Sequence, residues 1–433
     1  MFAVVYIPTF ALQSVLRHEP ELDAQPVALI ETKATKPLIC ELNHAASTAG
    51  VCAGMTASQA LARCGTPVFK KPSAKQEKTA HGILLQCAYS VSPWIESTAP
   101  GVCTLDLRGT RVEAASIIDQ LAQFRLRAQV GIAATADLAL LAARAADPFL
   151  IVHDAQDFLD QLSINALWHP ERRNTKSQDF NSFAAIFDIL KKWGIGTVGQ
   201  FAALDGNEIS KRLGPLARDL WLCAKGEIAR PLKFIQPAAT FEESIELEHE
   251  IELLEPLLFL LRRFIEQLSR RLELVYLVAA EITLQLIFSD GKNVSRVFKI
   301  PSPTRNVDLL FRMLHTRLEN FRADAPIVAM HLRAKPCRAN SEQFGLFETA
   351  LRDPNQFYET LARLSAVVGV DRIGTPAIEL THRPDAVRVQ AIDFAIQNSK
   401  FTIQNSATGL SLRRFRPPLA AQVLLENAQP VFL

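Results

Sequence analysis

The chain has 433 residues, of which 48% are hydrophobic and 21% are charged, so it is long enough for roughly two to four domains and too apolar to be disordered. Its formal net charge of +2 excludes a protein that binds polyanions through its overall charge, and leaves that role to local basic patches. No apolar run reaches the roughly 18 residues that cross a bilayer, and the seven cysteines include no C-x-x-C pair. We therefore expect a soluble intracellular protein with reduced thiols.

Segments of strand and helix character alternate over the N-terminal part of the chain. Residues 2–6 are rich in strand-forming side chains, residues 89–109 are predicted to form a pair of strands, and residues 128–133 a further strand. An alanine-rich helix is predicted after that strand, over residues 135–146. Between the first two strand segments, residues 50–64 contain a glycine-punctuated turn that leads into a helix. This alternation predicts an α+β domain.

The pattern is helical from residue 176 onward, and residues 191–204 have the composition of a helix, a glycine turn and a second helix. An acidic segment over residues 242–255 holds seven carboxylates and neither Lys nor Arg. The segments around and beyond it predict the order β-α-β-β-α-β, in which Asp290-Gly291 forms a hairpin turn. The predicted strands cover residues 238–247, 275–288, 294–300 and 326–332, and the predicted helices cover residues 257–273 and 306–321.

Three short motifs lie in the first half of the chain. Gly50-Val51 and Gly54-Met55 stand just before a predicted helix, and Leu105-Asp106 lies in the second strand segment. These motifs resemble the N-terminal half of Y-family (translesion) DNA polymerases, which carry Gly-Val-x-x-Gly-Met before the fingers helix and a Leu-Asp strand in the palm. The resemblance implies a multidomain α+β fold. Its implied parts are a palm and fingers over residues 1–175, a small helical thumb over 176–236, a β-α-β-β-α-β little finger over 237–340, a short peptide over 341–349 and a C-terminal extension over 350–433.

The metal-binding acids of that family are missing at the aligned positions of this chain. The family carries Asp-x-Asp on its first palm strand and Asp-Glu just before the Leu-Asp strand. Alignment of the first strand places Tyr6 and Pro8 at the first pair, and alignment of the second places Gly101 and Val102 at the other. Nucleotidyl transfer in such enzymes uses two Mg²⁺ ions, which require oxygen ligands such as carboxylates. We therefore predict no catalytic residue, no metal site and no cofactor.

The residues that hold the nucleotide phosphates in the family are missing as well. Its Tyr-x-x-Arg pair falls on His44 and Ser47, and its Asn-Lys pair falls on Thr135 and Ala136. The joint loss of acids, arginine and lysine predicts a pseudo-polymerase, and the alternative is a shifted alignment that hides a working site. His44 by itself is more typical of a packed or solvated histidine than of a ligand.

A thumb of the helix-hairpin-helix kind grips the DNA backbone through main-chain amides at glycine turns. Gly194-Ile195-Gly196 resembles the second such turn of the family, whereas the first turn falls on Asn181-Ser182-Phe183, where the glycines are missing. Gly194 is also explained as the C-cap of a helix. The sequence therefore leaves phosphate binding by the thumb open.

Five basic residues lie on or beside strands of the predicted little-finger sheet: Arg296, Lys299, Arg333, Lys335 and Arg338. In a little finger this sheet follows the DNA backbone, so the resemblance makes these residues the candidates for a weak contact with DNA that is not sequence-specific. A solvated strand face would carry the same alternating charges.

The peptide over residues 341–349 contains Gln343, Phe344, Leu346 and Phe347. This pattern resembles the peptide that binds the bacterial sliding clamp (the β subunit), in which apolar side chains fill a groove and the glutamine amide makes directional hydrogen bonds. Its place directly after a little finger is where such peptides occur in the family. The alternative is an amphipathic turn that packs onto residues 350–368.

The C-terminal extension contains Thr381-His382-Arg383-Pro384 and, later, Arg414-Phe415-Arg416-Pro417-Pro418. This run resembles ImuB-type proteins, the catalytically degenerate Y-family group of bacterial SOS mutagenesis. The resemblance implies a cytoplasmic, non-catalytic scaffold that binds the sliding clamp and recruits an error-prone C-family polymerase and an ImuA-like, RecA-related protein to damaged DNA. The alternatives are a divergent but active translesion polymerase and a DNA-binding accessory without clamp contact. Residues 394–406 hold a short direct repeat, to which we assign no function.

Overall fold

The computed structural model describes most of the first 338 residues and short pieces of the remainder. The described residues are 1–31, 37–110, 114–167, 177–226, 231–237, 240–319, 325–338, 360, 364, 368, 372–378, 387–391, 424–426 and 429–432. They belong to two compact units, Met1–Ala350 and Leu351–Leu433. No helix in the described part of the chain is long and apolar enough to serve as a membrane span.

Strands and helices alternate through the described part of residues 1–167. The strands are β1 (Phe2–Tyr6), β2 (Val27–Ile30), β3 (Ile39–Leu42), β4 (Val68–Lys70), β5 (Ile95–Ala99), β6 (Val102–Asp106), β7 (Gln129–Ala133) and β8 (Phe149–Ile151). The helices are α1 (Phe10–Leu16), α2 (His44–Thr48), α3 (Ala57–Arg63), α4 (Ala74–Val91), α5 (Ser116–Gln123), α6 (Ala136–Ala145) and α7 (Ala155–Gln161).

Strand β1 is the middle strand of the five-stranded palm sheet, whose order is β5-β6-β1-β7-β8. It pairs antiparallel with β6 on one side and with β7 on the other. Its alternate side chains enter two cores: Ala3 and Val5 pack with α4 and α5, whereas Val4 packs with α6. Because both faces are covered, the middle of β1 is apolar at consecutive positions.

The strand pair predicted over residues 89–109 is shorter than expected. Tyr89 belongs to α4, because the buried apolar positions of this helix extend to Val91. The pair itself consists of β5 and β6, joined by a turn at Gly101, whose φ is +74°. The prediction was right about the hairpin and wrong about its ends, because residues 89–94 and 107–109 lie outside both strands.

The fingers contain a small three-stranded sheet of order β3-β2-β4. The predicted glycine turn is confirmed, since Gly50 and Gly54 have φ values of +84° and +85°, a conformation that glycine adopts readily. The helix predicted within residues 50–64 is α3. It begins at a capping box, in which the N–H of Gln59 donates to Thr56 Oγ1 and the N–H of Thr56 donates to Gln59 Oε1.

The described thumb is helical. Its helices are α8 (Ser177–Lys192), α9 (Val198–Ala202), α10 (Gly206–Leu213) and α11 (Pro215–Ala224). The predicted helix, glycine turn and helix over residues 191–204 are confirmed by α8, the turn and α9. Gly194 has a φ of +78°, and the N–H of Ile195 donates to the carbonyl of Leu190 at 3.0 Å. This is the hydrogen-bond pattern of a helix that ends at a glycine C-cap.

Residues 231–237, which we call the edge strap, run beside the free edge of the palm sheet. The N–H of Ile235 donates to the carbonyl of Ile95 at 2.9 Å, and the N–H of Lys233 donates to Glu96 Oε2 at 2.7 Å. Glu96 is buried, so its carboxylate anchors the strap from inside the sheet. The strap therefore covers the start of β5.

The little finger has the predicted order β-α-β-β-α-β. Its elements are β9 (Phe241–Ile251), α12 (Leu254–Leu274), β10 (Leu277–Phe288), β11 (Asn293–Thr304), α13 (Val307–Glu319) and β12 (Ile327–Arg338). The strands form one antiparallel sheet of order β11-β10-β12-β9. The predicted hairpin turn is confirmed, because Gly291 has a φ of +80° and the N–H of Phe288 donates to the carbonyl of Lys292.

The C-terminal unit contributes short described strands. β13 (Gly374–Ile378) pairs with β14 (Val387–Ala391), and β15 (Leu424–Glu426) pairs with β16 (Gln429–Phe432). The predicted clamp peptide over residues 341–349 and the repeat over residues 394–406 lie outside the described residues.

Candidate functional site

The positions that align with the family's metal-binding acids meet at one end of the palm sheet. Tyr6 on β1 is directly opposite Val102 on β6, and the N–H of Ile7 donates to the carbonyl of Gly101 at 2.9 Å. Side chains at opposite positions of adjacent strands have Cβ atoms about 4.5–5.5 Å apart. Pro8 follows β1 and has no backbone N–H. The structure thus brings the two aligned strand ends together, with an aromatic and an aliphatic side chain facing each other there.

The turn at Gly101 has no room for a side chain. A Cβ at this residue would lie 2.6 Å from Cγ of Phe10, which is itself buried. His81 of α4 holds the turn, since its Nδ1 accepts from the N–H of Gly101 at 3.3 Å and its Nε2 lies 2.7 Å from Ser97 Oγ. Because Nδ1 accepts, Nε2 carries the proton and donates to Ser97. Burial lowers the pKa of His81, which favours the neutral ring that these bonds require.

A cation lies beside the aligned acid positions. The guanidinium carbon of Arg144, on α6, is 5.7 Å from the centre of the Tyr6 ring, which is within the range of a cation–π contact. A positive charge at this place opposes the binding of divalent cations. Within the described residues, no three His, Cys, Asp or Glu side chains are grouped so that they could hold a metal ion. At the positions predicted to align with the family's acids, the chain offers no carboxylate to a metal ion, since they hold Tyr6, Pro8, Gly101 and Val102.

Asp106, the acid of the Leu-Asp motif, is engaged at the other end of its strand. It is opposite Phe2. At roughly 3.3 Å per residue, it lies about 13 Å from Val102 along β6. Its carboxylate accepts from Arg108 Nε at 2.8 Å and from Arg108 Nη2 at 2.5 Å. These bonds from Arg108 lower the pKa of Asp106. We assign this pair a structural role.

The aligned phosphate-holding positions face solvent, cap a helix or lie buried in its first turn. His44 and Ser47 are exposed on α2. Thr135 is the N-cap of α6, where its Oγ1 accepts from the N–H of Leu138 at 3.3 Å. Ala136 is buried in the first turn of the same helix. These places offer a triphosphate no lysine or arginine.

The main-chain amides of the thumb turn are hydrogen-bonded within the thumb itself. Gln200 Oε1 accepts from the N–H of Gly196 at 2.8 Å and from the N–H of Thr197 at 3.3 Å. The N–H of Gln200 donates in return to Thr197 Oγ1, which completes a capping box. These amides are therefore already used and do not point freely at a phosphate. Residues 181–183, which align with the first turn, lie inside α8.

Strand alternation divides the predicted DNA-contact residues between the two faces of the little-finger sheet. Lys299, Arg333 and Lys335 are exposed on one face, which we call the open face. Arg296 and Arg338 are also exposed. Arg296 lies three positions before Lys299, and Arg338 lies three positions after Lys335. Because side chains alternate along a strand, a step of three places both arginines on the other face. The structure therefore brings three of the five residues together.

Acidic residues alternate with these cations on the open face. Glu281 of β10 is opposite Lys299 on one side and opposite Lys335 on the other. Glu242 of β9 is opposite Arg333. Opposite charges at directly paired positions attract one another and compensate locally. The open face is therefore less basic than its lysines and arginine alone would make it.

Comparisons with known proteins agree with this fold. The order of palm, fingers, thumb and little finger defines the Y-family class of DNA polymerase folds. The impB/mucB/samB family model matches residues 5–144, and the model of the C-terminal domain of the same family matches residues 240–346. The chain therefore carries Y-family polymerase domains of the impB/mucB/samB type, and the predicted α+β fold is confirmed.

Relatives named as polymerases match at low identity. DNA polymerase IV of Brucella melitensis is 25% identical over 309 residues, which are 68% of this chain and 66% of the relative. DNA polymerase IV 1 of Mesorhizobium japonicum is 24% identical over 309 residues, or 68% of this chain and 67% of the relative. The chain thus spans about two thirds of the length of these curated relatives. Among solved structures, DinB from Sulfolobus solfataricus matches with a TM-score of 0.43 and 17% identity over 78% of this chain and 100% of that chain.

Proposed function

We propose that this protein is a non-catalytic, polymerase-like scaffold in DNA damage tolerance, of the kind represented by the ImuB-type proteins of SOS mutagenesis. The observation that supports this most strongly is the end of β1, where Tyr6 faces Val102 and Arg144 lies over the Tyr6 ring. Two-metal catalysis needs oxygen ligands for ions roughly 3.5–4 Å apart. This palm offers an aromatic ring, a valine and a guanidinium in that place.

The competing function is a divergent but active translesion polymerase. Primer extension in Mg²⁺ and in Mn²⁺ distinguishes the two functions, and we expect no product from this chain under conditions in which an active Y-family enzyme extends the primer. The variants Asp106→Asn and Asp137→Asn, which change the buried aspartates of β6 and of α6, identify the source of any activity that does appear. Robust incorporation that either variant abolishes would overturn the scaffold proposal, because it would show that acids outside the aligned positions hold the metals.

The partner that the sequence favours is the bacterial sliding clamp. Gln343, Phe344, Leu346 and Phe347 supply the pattern of a clamp-binding peptide, and they follow directly on the little finger. A groove that accepts two apolar anchors and one amide explains why these residue types occur at this spacing. The C-terminal resemblance to ImuB-type proteins supports further recruitment of an error-prone C-family polymerase and of an ImuA-like, RecA-related protein.

Clamp binding is tested with the double variant Gln343→Ala with Phe347→Ala in the full-length chain. Loss of an anchor and of the amide is expected to weaken binding by about tenfold or more. The matched control is Phe394→Ala with Gln397→Ala, which removes the same residue types from the repeat over residues 394–406. Equal affinities for both double variants would favour the DNA-binding accessory without clamp contact.

Weak contact with DNA completes the proposal. Lys299, Arg333 and Lys335 share the open face, so they are the cations that one DNA backbone can reach together. We expect Lys299→Ala with Lys335→Ala to weaken binding to duplex DNA and to reduce its salt dependence, because fewer counterions are released. The matched control on the other face is Arg296→Ala with Arg338→Ala. Equal losses in the two double variants would contradict the assignment to the open face.

A further inference from the structure

A buried ionic network joins the palm to the little finger. Its centre is Glu243 of β9, whose side chain is 0% exposed. Arg17, at the end of α1, donates through Nη2 to Glu243 Oε2 at 2.5 Å. Arg271 of α12 donates through Nη1 to Glu243 Oε1 at 3.1 Å. One carboxylate of the little finger therefore holds a guanidinium from each of the two domains.

Arg271 also connects the network to helix α4 of the palm. Its Nε donates to Gln86 Oε1, on α4 of the palm, at 2.9 Å. Its other nitrogens donate to the carbonyls of Thr240 and Glu242 at 2.9 and 2.8 Å. The exposed fraction of the Arg271 side chain is 2%. A buried guanidinium is tolerated when its donors are met in this way, and here acceptors from both domains meet them.

Two further arginines of α12 bond to the ends of palm helices. Arg263 donates through Nη1 to the carbonyl of His18 and through Nη2 to the carbonyl of Arg17, both at 2.7 Å. Arg270 donates to the carbonyl of Gln123, the last residue of α5, at 3.1 Å. The carbonyls at the end of a helix lack partners within the helix and carry partial negative charge. Guanidiniums of the little finger supply those partners.

Glu243 carries the negative charge that compensates the buried arginines of the network. Among the described residues, Nε and Nη1 of Arg17 have no hydrogen-bond acceptor, so Glu243 is what compensates this buried cation. His18 lies nearby, and burial together with the charges of Arg17 and Arg263 lowers its pKa well below the usual value. A buried charge that loses its partner is strongly destabilising. Removal of Glu243 would leave the guanidiniums on both sides of the junction facing each other.

We propose that this network, which we call the docking lock, fixes the orientation of the little finger relative to the palm. The two domains then move as one body. Buried ion pairs are screened by salt much less than exposed pairs. The exposed pair at the same junction, Lys75 with Glu246, has side chains that are 59% and 66% exposed. The lock therefore holds at high ionic strength, whereas the Lys75–Glu246 pair contributes little there.

The test compares two glutamates of one strand in the full-length protein. Glu243→Gln removes the buried carboxylate, and Glu246→Gln makes the same change at the exposed position of β9. Small-angle X-ray scattering is expected to give a larger radius of gyration for Glu243→Gln and an unchanged one for Glu246→Gln. The unsubstituted chain is expected to keep its radius from low to molar salt.

A second variant keeps the test decisive if Glu243→Gln does not fold, as judged by circular dichroism. Arg263→Met removes two bonds to the end of α1 at a half-buried position and leaves Glu243 with both of its guanidiniums. It is expected to enlarge the radius of gyration while it retains the helical signal. Unchanged radii in the folded variants, or expansion of the unsubstituted chain in high salt, would overturn the lock.

Discussion

The palm end of β1 and the junction between palm and little finger differ in whether they bury a carboxylate. At the end of β1, Tyr6 faces Val102, at two of the positions predicted to align with the family's acids, and Val102 is fully buried. At the junction, Glu243 is fully buried between Arg17 and Arg271. Both places lie at the contact of secondary-structure elements, yet only the second pairs a buried carboxylate with guanidiniums.

The difference shows what a buried charge needs in order to persist. A carboxylate that is removed from water is costly unless ions or donors meet its oxygens. The junction supplies guanidiniums from α1 and α12. The palm end supplies Arg144 over an aromatic ring, in a region packed with apolar side chains. The buried charges of the junction therefore join two domains, which agrees with the proposed role as a scaffold.

The largest effect is expected where that chemistry is removed. Glu243→Met leaves Arg17 and Arg271 buried without their carboxylate, and we expect it to lower the free energy of unfolding by about 3–5 kcal/mol. Replacement of Arg17, Glu243 and Arg271 together by Met is expected to recover most of this loss, because no unpaired charge remains. Urea denaturation measures both. A triple variant as unstable as Glu243→Met would show that the loss does not come from unpaired charge.

The next largest effect on stability is expected when an acid is placed at the end of the palm sheet. Val102→Glu buries a carboxylate among apolar side chains, so we expect the free energy of unfolding to fall by about 2–4 kcal/mol. Gln129→Glu places the same group opposite Tyr6 at a half-buried position and serves as the milder control. We expect Mg²⁺ to leave the denaturation midpoint of Val102→Glu unchanged. A midpoint that rises with Mg²⁺ would reveal a latent metal site.

A smaller effect is expected when the glycine of the palm turn is replaced by alanine. Comparison with a second glycine of similar φ distinguishes a steric clash from backbone strain. Gly101 and Gly109 have φ values of +74° and +75°, so alanine is strained at both. Only Gly101 faces Phe10, because nothing lies within 4 Å of a Cβ at Gly109. We expect Gly101→Ala to cost about 1–3 kcal/mol more than Gly109→Ala. Equal thermal shifts in the two variants would mean that Phe10 moves aside freely.

The smallest effect is a pH dependence shared by the two regions. Burial lowers the pKa of His81 at the palm turn and of His18 at the junction. Below the ordinary histidine pKa of about 6.5 the unfolded chain binds protons that the folded chain does not, so stability falls as the pH falls. Each histidine contributes a slope of up to about 1.4 kcal/mol per pH unit. His81→Gln should flatten the slope between pH 6.5 and the folded-state pKa, and His44→Gln, on the exposed surface, serves as the control.

Local patterns in the sequence were enough to predict the little finger. The strands alternate with period two, the helices follow a period of 3.6, and Asp290-Gly291 marks the turn between β10 and β11. The strand pair predicted from Tyr89 begins too early, because Tyr89 belongs to α4. A buried helix end and a buried strand look alike over so few residues.

Glu243 could not be predicted from its own segment alone. Glu243 is one of seven carboxylates in residues 242–255, and its partner Arg17 is 226 residues away in the chain. One signal was available, since Glu243 alternates with Phe241 and Ile245, both buried on the inward face of β9. An acid in an apolar position of a strand predicts a buried partner, but which cation supplies it depends on the tertiary fold.

The edge strap has a consequence for how the molecule behaves at high concentration. An uncovered edge strand presents unpaired N–H and C=O groups, which are a template for strand addition by another chain. The bonds from Ile235 to Ile95 and from Lys233 to Glu96 occupy the start of β5 instead. The segment that connects the thumb to the little finger therefore also occupies the start of this edge, at Ile95 and Glu96, where another strand could otherwise add.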